Sequence, residues 1–178
     1  MKIEYMGITR SLALAGATDF SFVDEDSKWR GSEVHKMIQF YDERKLYEHT
    51  VPPDLRGYLN AHKKFMRETG FIPQEIELQV KSKEHGLRGR IDRLGLMRGK
   101  RTIVDFKTGS PSEAVALQLC LGGFLADPSV WFHRVAVHLK ADGEYSLKLF
   151  KLLDWQTDLS TALACVRVAR WRVDHNLL

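Results

Sequence analysis

The chain has 178 residues, 44% hydrophobic and 28% charged, which provides for a packed core and excludes an intrinsically disordered chain. Lys and Arg outnumber Asp and Glu by 27 to 23, so the formal charge of +4 suits a polyanionic partner without requiring one. The two cysteines, Cys120 and Cys165, are too few for an iron–sulfur cluster, which takes about four ligands. They sit in apolar helical surroundings far apart in sequence, as small hydrophobes of a reducing compartment do.

The N-terminal MKIEYMGITR has no apolar run after its lysine, so a signal peptide is not expected. The longest mostly apolar stretch, Ala114 to Ala126, is too short to span a bilayer. A cytoplasmic protein with no membrane partner is the expectation. No internal repeat or linker-like run divides the sequence, and one domain is expected over residues 1–178. Its parts would be a helical region (1–72), a sheet core (73–152) and a C-terminal helix (153–178).

Ser27 to Lys45 reads as a helix, with Val34, Ile38 and Tyr41 on one stripe. Pro52 and Pro53 interrupt the chain, and Asp54 to Glu68 forms a second helix ending before Gly70. The period then changes. Glu75 to Lys81 alternates as a half-buried strand, and Gly86 to Met97 continues as another. Arg98-Gly99 predicts a tight turn into a third strand, Lys100 to Phe106. Thr108-Gly109-Ser110-Pro111 closes this segment, and a helix follows from about Ser112 to Ala126. Trp131 to Leu139 and Tyr145 to Leu152 form a hairpin around Ala141-Asp142-Gly143, and a last helix runs from Asp154 to about Val173. The order predicts an α/β (α+β) protein, a mixed sheet flanked by helices.

The turn at Arg98-Gly99 makes antiparallel partners sum to 197, which places Asp92 across from Asp105. Carboxylates so placed sit roughly 5 Å apart and repel unless a cation joins them. Lys107, two residues on, projects from the same face as Asp105. Two carboxylates and a lysine on one face suit phosphodiester hydrolysis with Mg²⁺ or Mn²⁺ held through oxygen ligands. D-x-K alone is common, and a solvated strand pair is the competing reading. The apolar Ile103, Val104 and Phe106 argue for a buried strand instead.

Gly89-Arg90-Ile91-Asp92 followed by Ile103-Val104-Asp105-Phe106-Lys107-Thr108-Gly109 resembles the G-x-[IV]-D … D-x-K-T-G signature of RecB-like PD-(D/E)XK nucleases. Upstream, Arg30-Gly31-Ser32-Glu33-Val34-His35 resembles their R-G-x-x-[VI]-H helix. Downstream, Gln118 falls where the family has Q-x-x-x-Y, and Glu77 matches a recurrent family glutamate. The resemblance covers roughly residues 28–125. It implies a restriction-endonuclease-like core and a DNA nuclease, an exonuclease in repair or recombination. It implies Mg²⁺ or Mn²⁺ held by His35, Asp92, Asp105 and the Phe106 carbonyl, with Lys107 as catalytic cation and Glu77 and Gln118 in support. The implied partners are DNA, as single strands or duplex ends, and a recombination or repair protein; compact nucleases of this kind resemble those of phages and prophages.

One position departs from the pattern. Gly122 stands where the family has tyrosine, and Phe124 is the nearest aromatic. The departure bears on substrate placement, since no ligand is lost. It is also the sole support for the alternative of a non-catalytic nucleic-acid-binding module; a structure-specific endonuclease of the same chemistry is the other alternative. Arg167, Arg170 and Arg172 beside Trp171, and Lys63, Lys64 and Arg67, read either as solvated helix faces or as backbone contacts for a nucleic acid.

Overall fold

The computed structural model describes residues 4–18, 24–109 and 112–177. Ser110 and Pro111, expected in the turn after the third strand of the core, lie outside the described residues. A short strand β1 (Met6–Gly7) leads into α1 (Ile8–Leu14), and α2 (Glu25–Asp42) and α3 (Arg56–Thr69) follow. Next come β2 (Ile72–Ser82), β3 (Leu87–Met97) and β4 (Lys100–Lys107), then α4 (Val115–Ala126). A hairpin of β5 (His133–Leu139) and β6 (Tyr145–Phe150) precedes α5 (Trp155–Asp174).

Local chemistry explains several boundaries. The Asp24 carboxylate accepts from the Ser27 N–H at 2.7 Å, so α2 starts before the expected Ser27. That helix also stops at Asp42, because Arg44 adopts a left-handed φ of 58°. The turn between β3 and β4 has both central residues left-handed, Arg98 at 51° and Gly99 at 75°, the geometry that two-residue hairpins favour. β1 and α1 were not expected from the sequence; at two and seven residues they are too short to show a period.

The mixed sheet has the order β1-β3-β4-β5-β6, with β2 also on β3. β2 covers one edge of β3 from Leu87 to Leu96. The other edge is shared: β1 pairs in parallel at Leu87 and Arg88, and β4 pairs antiparallel from Arg93 to Met97. The β3–β4 ladder keeps the expected sum throughout but ends at Arg93–Val104, one pair short of Asp92 and Asp105. On its other edge β4 runs parallel with β5, from Thr102–His133 to Lys107–His138, so that Asp105 to Lys107 pair with β5 alone. Gly89 to Asp92 are thus left without a strand on that edge, in the gap between β1 and β4.

Helices cover both faces. Val104 and Phe106 point with Val135 and Val137 toward α2 and α3, packing on Val34, Ile38, Leu59 and Phe65. Ile91, Ile103 and Ala136 face the other way, onto Val115, Leu119, Cys120 and Trp155 of α4 and α5. α1 joins this second layer through Ile8 and Leu12. Among the described residues no helix is long and apolar enough to cross a membrane. Both cysteines are free, and burial pushes the Cys120 thiol up to about 12.

Candidate active site

Where β4 leaves β3, the Asp92 side chain takes over the duty of the missing ladder. Its Oδ2 accepts the Phe106 N–H at 2.8 Å. The aspartate is therefore fixed by the splitting of the two strands, and both carboxylates end up buried, Asp92 at 8% exposure and Asp105 at 4%. A direct Asp92–Asp105 ladder pair, as the turn arithmetic suggests, does not form.

Glu77 arrives from β2. The β2–β3 register runs through Ile76–Arg93 and Leu78–Ile91, and between them Glu77 holds a left-handed φ of 53°. That conformation is costly for a residue with a Cβ, by roughly 1–2 kcal/mol. Its carboxylate is held on both sides, by Arg90 Nε at 2.8 Å and Arg93 Nη1 at 3.2 Å. His35 comes from α2, with Nδ1 3.5 Å from Asp92 Oδ2. One ligand atom from each of His35, Glu77 and Asp92 lies within 4.8 Å of the others. Among the described residues these three form the cluster, two of them, His35 and Asp92, from the expected ligand set. Glu77 stands in it, and Asp105 sits beside it.

Asp105 is drawn to two other residues. Gln118 Nε2 donates to its Oδ1 at 2.9 Å, and Lys107 Nζ lies 2.8 Å from its Oδ2. The Oδ2 atom is sealed from solvent and accepts no aligned hydrogen bond, so the lysine contact is one of charge. Lys107 is pulled down by burial but raised more by Asp105 and Asp92, and it stays an ammonium. Phe106 reaches the site through its N–H, while its ring is buried on the opposite side of the sheet.

The carboxylates are crowded. Burial first, and then Asp105, push the Asp92 carboxyl above the ordinary aspartate range, against the pull of His35, the Phe106 N–H and Lys107. Glu77 is raised by burial and by Asp92, against Arg90, Arg93 and His35. A carboxyl raised on folding stabilises the protein below its unfolded pKa, and this stability is lost as pH rises through the folded value. Metal-free protein should therefore lose stability as pH climbs above the ordinary carboxylate range. Asp92→Asn should be the more stable at neutral pH, on the order of 1 kcal/mol. The difference should close as pH falls toward 3.8, the ordinary aspartate value. Thermal melts in EDTA across that range check this; an Asn variant less stable at every pH would show that the Phe106 hydrogen bond outweighs the repulsion.

The cluster forms the floor of a groove of about 820 Å³ whose walls carry Arg30, Lys36, Arg90 and Lys107. A second cavity of about 300 Å³ adjoins it and shares Arg90, Asp92, Asp105 and Gln118. Gly122 lines this cavity, one turn after Gln118, and a Cβ there would meet Ile91 Cγ1 at 3.3 Å and Ile103 Cδ1 at 3.4 Å. A side chain here would need Ile91 and Ile103 to give by a few tenths of an ångström. Phe124 does not replace the family tyrosine, since its ring packs on His85 at 5.4 Å.

Four of the six other cationic candidates are tied to the protein itself. Arg170 donates to the His85 and Gly86 carbonyls, and Arg172 to those of Leu14 and Leu177. Lys63 pairs with Glu48 and Lys64 with Glu144. Trp171 stays half exposed, stacked on His175.

Carboxylates, a histidine and a lysine in the gap of a mixed sheet with helices on both faces define the class: a restriction-endonuclease-like fold with a cation-ready site. The model of the PD-(D/E)XK nuclease superfamily matches residues 53–127, the segment that carries Glu77, Asp92, Asp105, Lys107 and Gln118. Over that segment, residues 53–127, the chain is similar to this superfamily, a family of nucleases. Its structure is similar to that of a provisionally assigned exonuclease from Eubacterium rectale, with a TM-score of 0.60 at 12% identity, over 94% of this chain and 82% of the other. That likeness is one of fold. A looser superposition, TM-score 0.39 at 13% identity, relates it to an alkaline exonuclease from Laribacter hongkongensis, over 98% of this chain and 95% of that one. No curated protein matches the sequence.

Proposed function

We propose that the protein is a Mg²⁺- or Mn²⁺-dependent deoxyribonuclease of the RecB-like branch, acting as an exonuclease on DNA ends in repair or recombination. The observation that carries this reading is the convergence of His35, Glu77 and Asp92 within 4.8 Å, beside the Asp105–Lys107 pair. Glu77 and Asp92, whose carboxyls are raised by burial and by a neighbouring carboxylate, and a histidine nitrogen beside the buried Asp105 form a set that a hard divalent cation would satisfy. His35, Glu77 and Asp92 would hold it, with Asp105 and the Phe106 carbonyl as further ligands. When bound, the cation supplies charge that polarises a phosphate oxygen and eases loss of a water proton.

The remaining steps belong to the chain. Lys107, kept cationic by Asp105, stabilises the charge that builds on the phosphate and orients the attacking water. Gln118 steadies Asp105 through its amide. Arg30, Lys36 and Arg90 line the groove where a phosphate backbone would run. The exonuclease assignment rests on the resemblance to the RecB-like branch, and a recombination or repair protein would be the partner.

His35 tests the ligand set. His35→Ala should raise the Mn²⁺ concentration for half-maximal DNA cleavage by about tenfold or more, with much of the rate restored at saturating metal. Activity titrated against Mn²⁺ reads this directly. A variant with lowered stability and unchanged metal dependence would make His35 a packing residue.

A further inference from the structure

We propose that Arg93 is the positioning residue of the cluster, a buried guanidinium that sets Glu77 and Asp92 against His35 so that the three meet one divalent cation. The inference rests on the reading of that cluster as a cation site. Arg93 follows Asp92 in β3, and it is 0% exposed. A buried cation is costly unless its donors are engaged.

The engagements of Arg93 all lead to the cluster. Nη1 donates to the Asp92 carbonyl at 2.6 Å and to Glu77 Oε1 at 3.2 Å. Nε donates to Asp42 Oδ2 at 2.7 Å. Asp42 lies seven residues after His35, two turns along α2 and on the same side of it. One guanidinium therefore grips two cluster residues with one nitrogen and the helix of the third with another. Its Nη2 is buried without a partner, so the side chain is placed for these contacts at the expense of its own full pairing.

The far side of the network is rigid. His62 of α3, itself fully buried, contacts Asp42 Oδ1 through Nε2 at 2.7 Å. Its ring stands edge-on to Phe106 and to Tyr41, with centroids 5.0 Å and 5.8 Å away. Arg93 also lies over the Phe106 ring at 5.6 Å. At the near end, Glu77 keeps its left-handed backbone, which a glycine would adopt without cost. The ion pairs with Arg93 and Arg90 offset that strain and hold the carboxylate in the cluster.

Arg134 supplies the contrast within the same molecule. It is equally buried, yet it serves Asp158 and the Ala116 and Lys151 carbonyls, and none of these belongs to the cluster. A structural arginine should affect stability alone; a positioning arginine should also change the metal.

Mn²⁺ affinity measured by calorimetry, without DNA, separates the two. Arg93→Lys keeps a charge but loses the fork that reaches both sides. It should bind Mn²⁺ about 10- to 100-fold more weakly, and Asp42→Asn should weaken binding in the same direction. Combined with Glu77→Gln, Arg93→Lys should add less than its loss in the wild type, because part of its effect passes through that carboxylate. Arg134→Lys should lower the melting temperature and leave Mn²⁺ affinity alone. Folded Arg93→Lys with wild-type affinity, or a loss fully additive with that of Glu77→Gln, overturns the role. Should Arg93→Lys not fold, wild-type affinity in Asp42→Asn overturns it. Wild-type protein that takes up no Mn²⁺ removes the cation reading itself, and the role falls with it.

Discussion

Lys107→Ala should bind DNA within a few-fold of the wild type in Ca²⁺ and cleave it at least about 100-fold more slowly in Mg²⁺ or Mn²⁺. The ammonium lies 2.8 Å from Asp105 Oδ2, and its side chain is about one-third exposed to the groove. It can therefore meet a phosphate while remaining anchored. Its charge counts most where negative charge grows in the transition state, so turnover suffers more than ground-state affinity. Affinity is shared with Arg30, Lys36 and Arg90 along the groove, and removal of one cation among several costs little. Fluorescence anisotropy in Ca²⁺ and single-turnover cleavage in Mn²⁺ give the two quantities. A parallel loss of binding and cutting would make Lys107 a docking contact.

Asp92→Asn and Asp105→Asn should each lower cleavage by about 1000-fold, the rate equivalent of the several kcal/mol that a bound cation contributes. Folding should survive, because the amide keeps the size of the carboxylate. DNA binding without metal should hold or improve, since an anionic group facing phosphate is removed. The two variants differ in one respect. Asp92→Asn can still accept the Phe106 N–H, whereas Asp105→Asn weakens the charge contact that anchors Lys107. The Asp105 variant should therefore also disturb the placement of Lys107, and additional loss on combining it with Lys107→Ala should be small.

The parts of this site that were legible in the sequence are those with local causes. The Arg98-Gly99 turn set the register of β3 and β4, and every observed pair of that hairpin has the expected sum. Ile103, Val104 and Phe106 marked β4 as a buried strand, and they are buried on its two faces, against different helical layers. Gln118, which read equally well as a core amide or a site residue, does lie against Asp105.

What was not legible depends on partners distant in the chain. The ladder ends before Asp92, and from Asp105 on β4 keeps only its pairing with β5, a strand whose parallel pairing leaves no mark near residue 105. Glu77 joins His35 and Asp92 only through a left-handed backbone inside a strand, which an alternating pattern does not announce. Asp42, His62 and Arg93 come from three elements, and none belongs to a recognisable motif. A polar residue at the end of an amphipathic helix and a histidine on an apolar face were the available signals. Gly122 was visible as a departure; its close packing against Ile91 and Ile103 was not.

The central claim is that a divalent cation on this cluster drives cleavage of DNA. The most direct measurement is a time course on end-labelled linear DNA and on circular DNA, with Mn²⁺, with Mg²⁺ and with EDTA, run beside Asp105→Asn. The account predicts release of labelled nucleotides from the linear substrate by the wild type in either metal, an intact circle, and no product in EDTA or from the variant. Cutting of the circle would replace the exonuclease by an endonuclease of the same chemistry. Robust cleavage in EDTA, or tight DNA binding by the wild type with no cleavage in any metal, would contradict the claim.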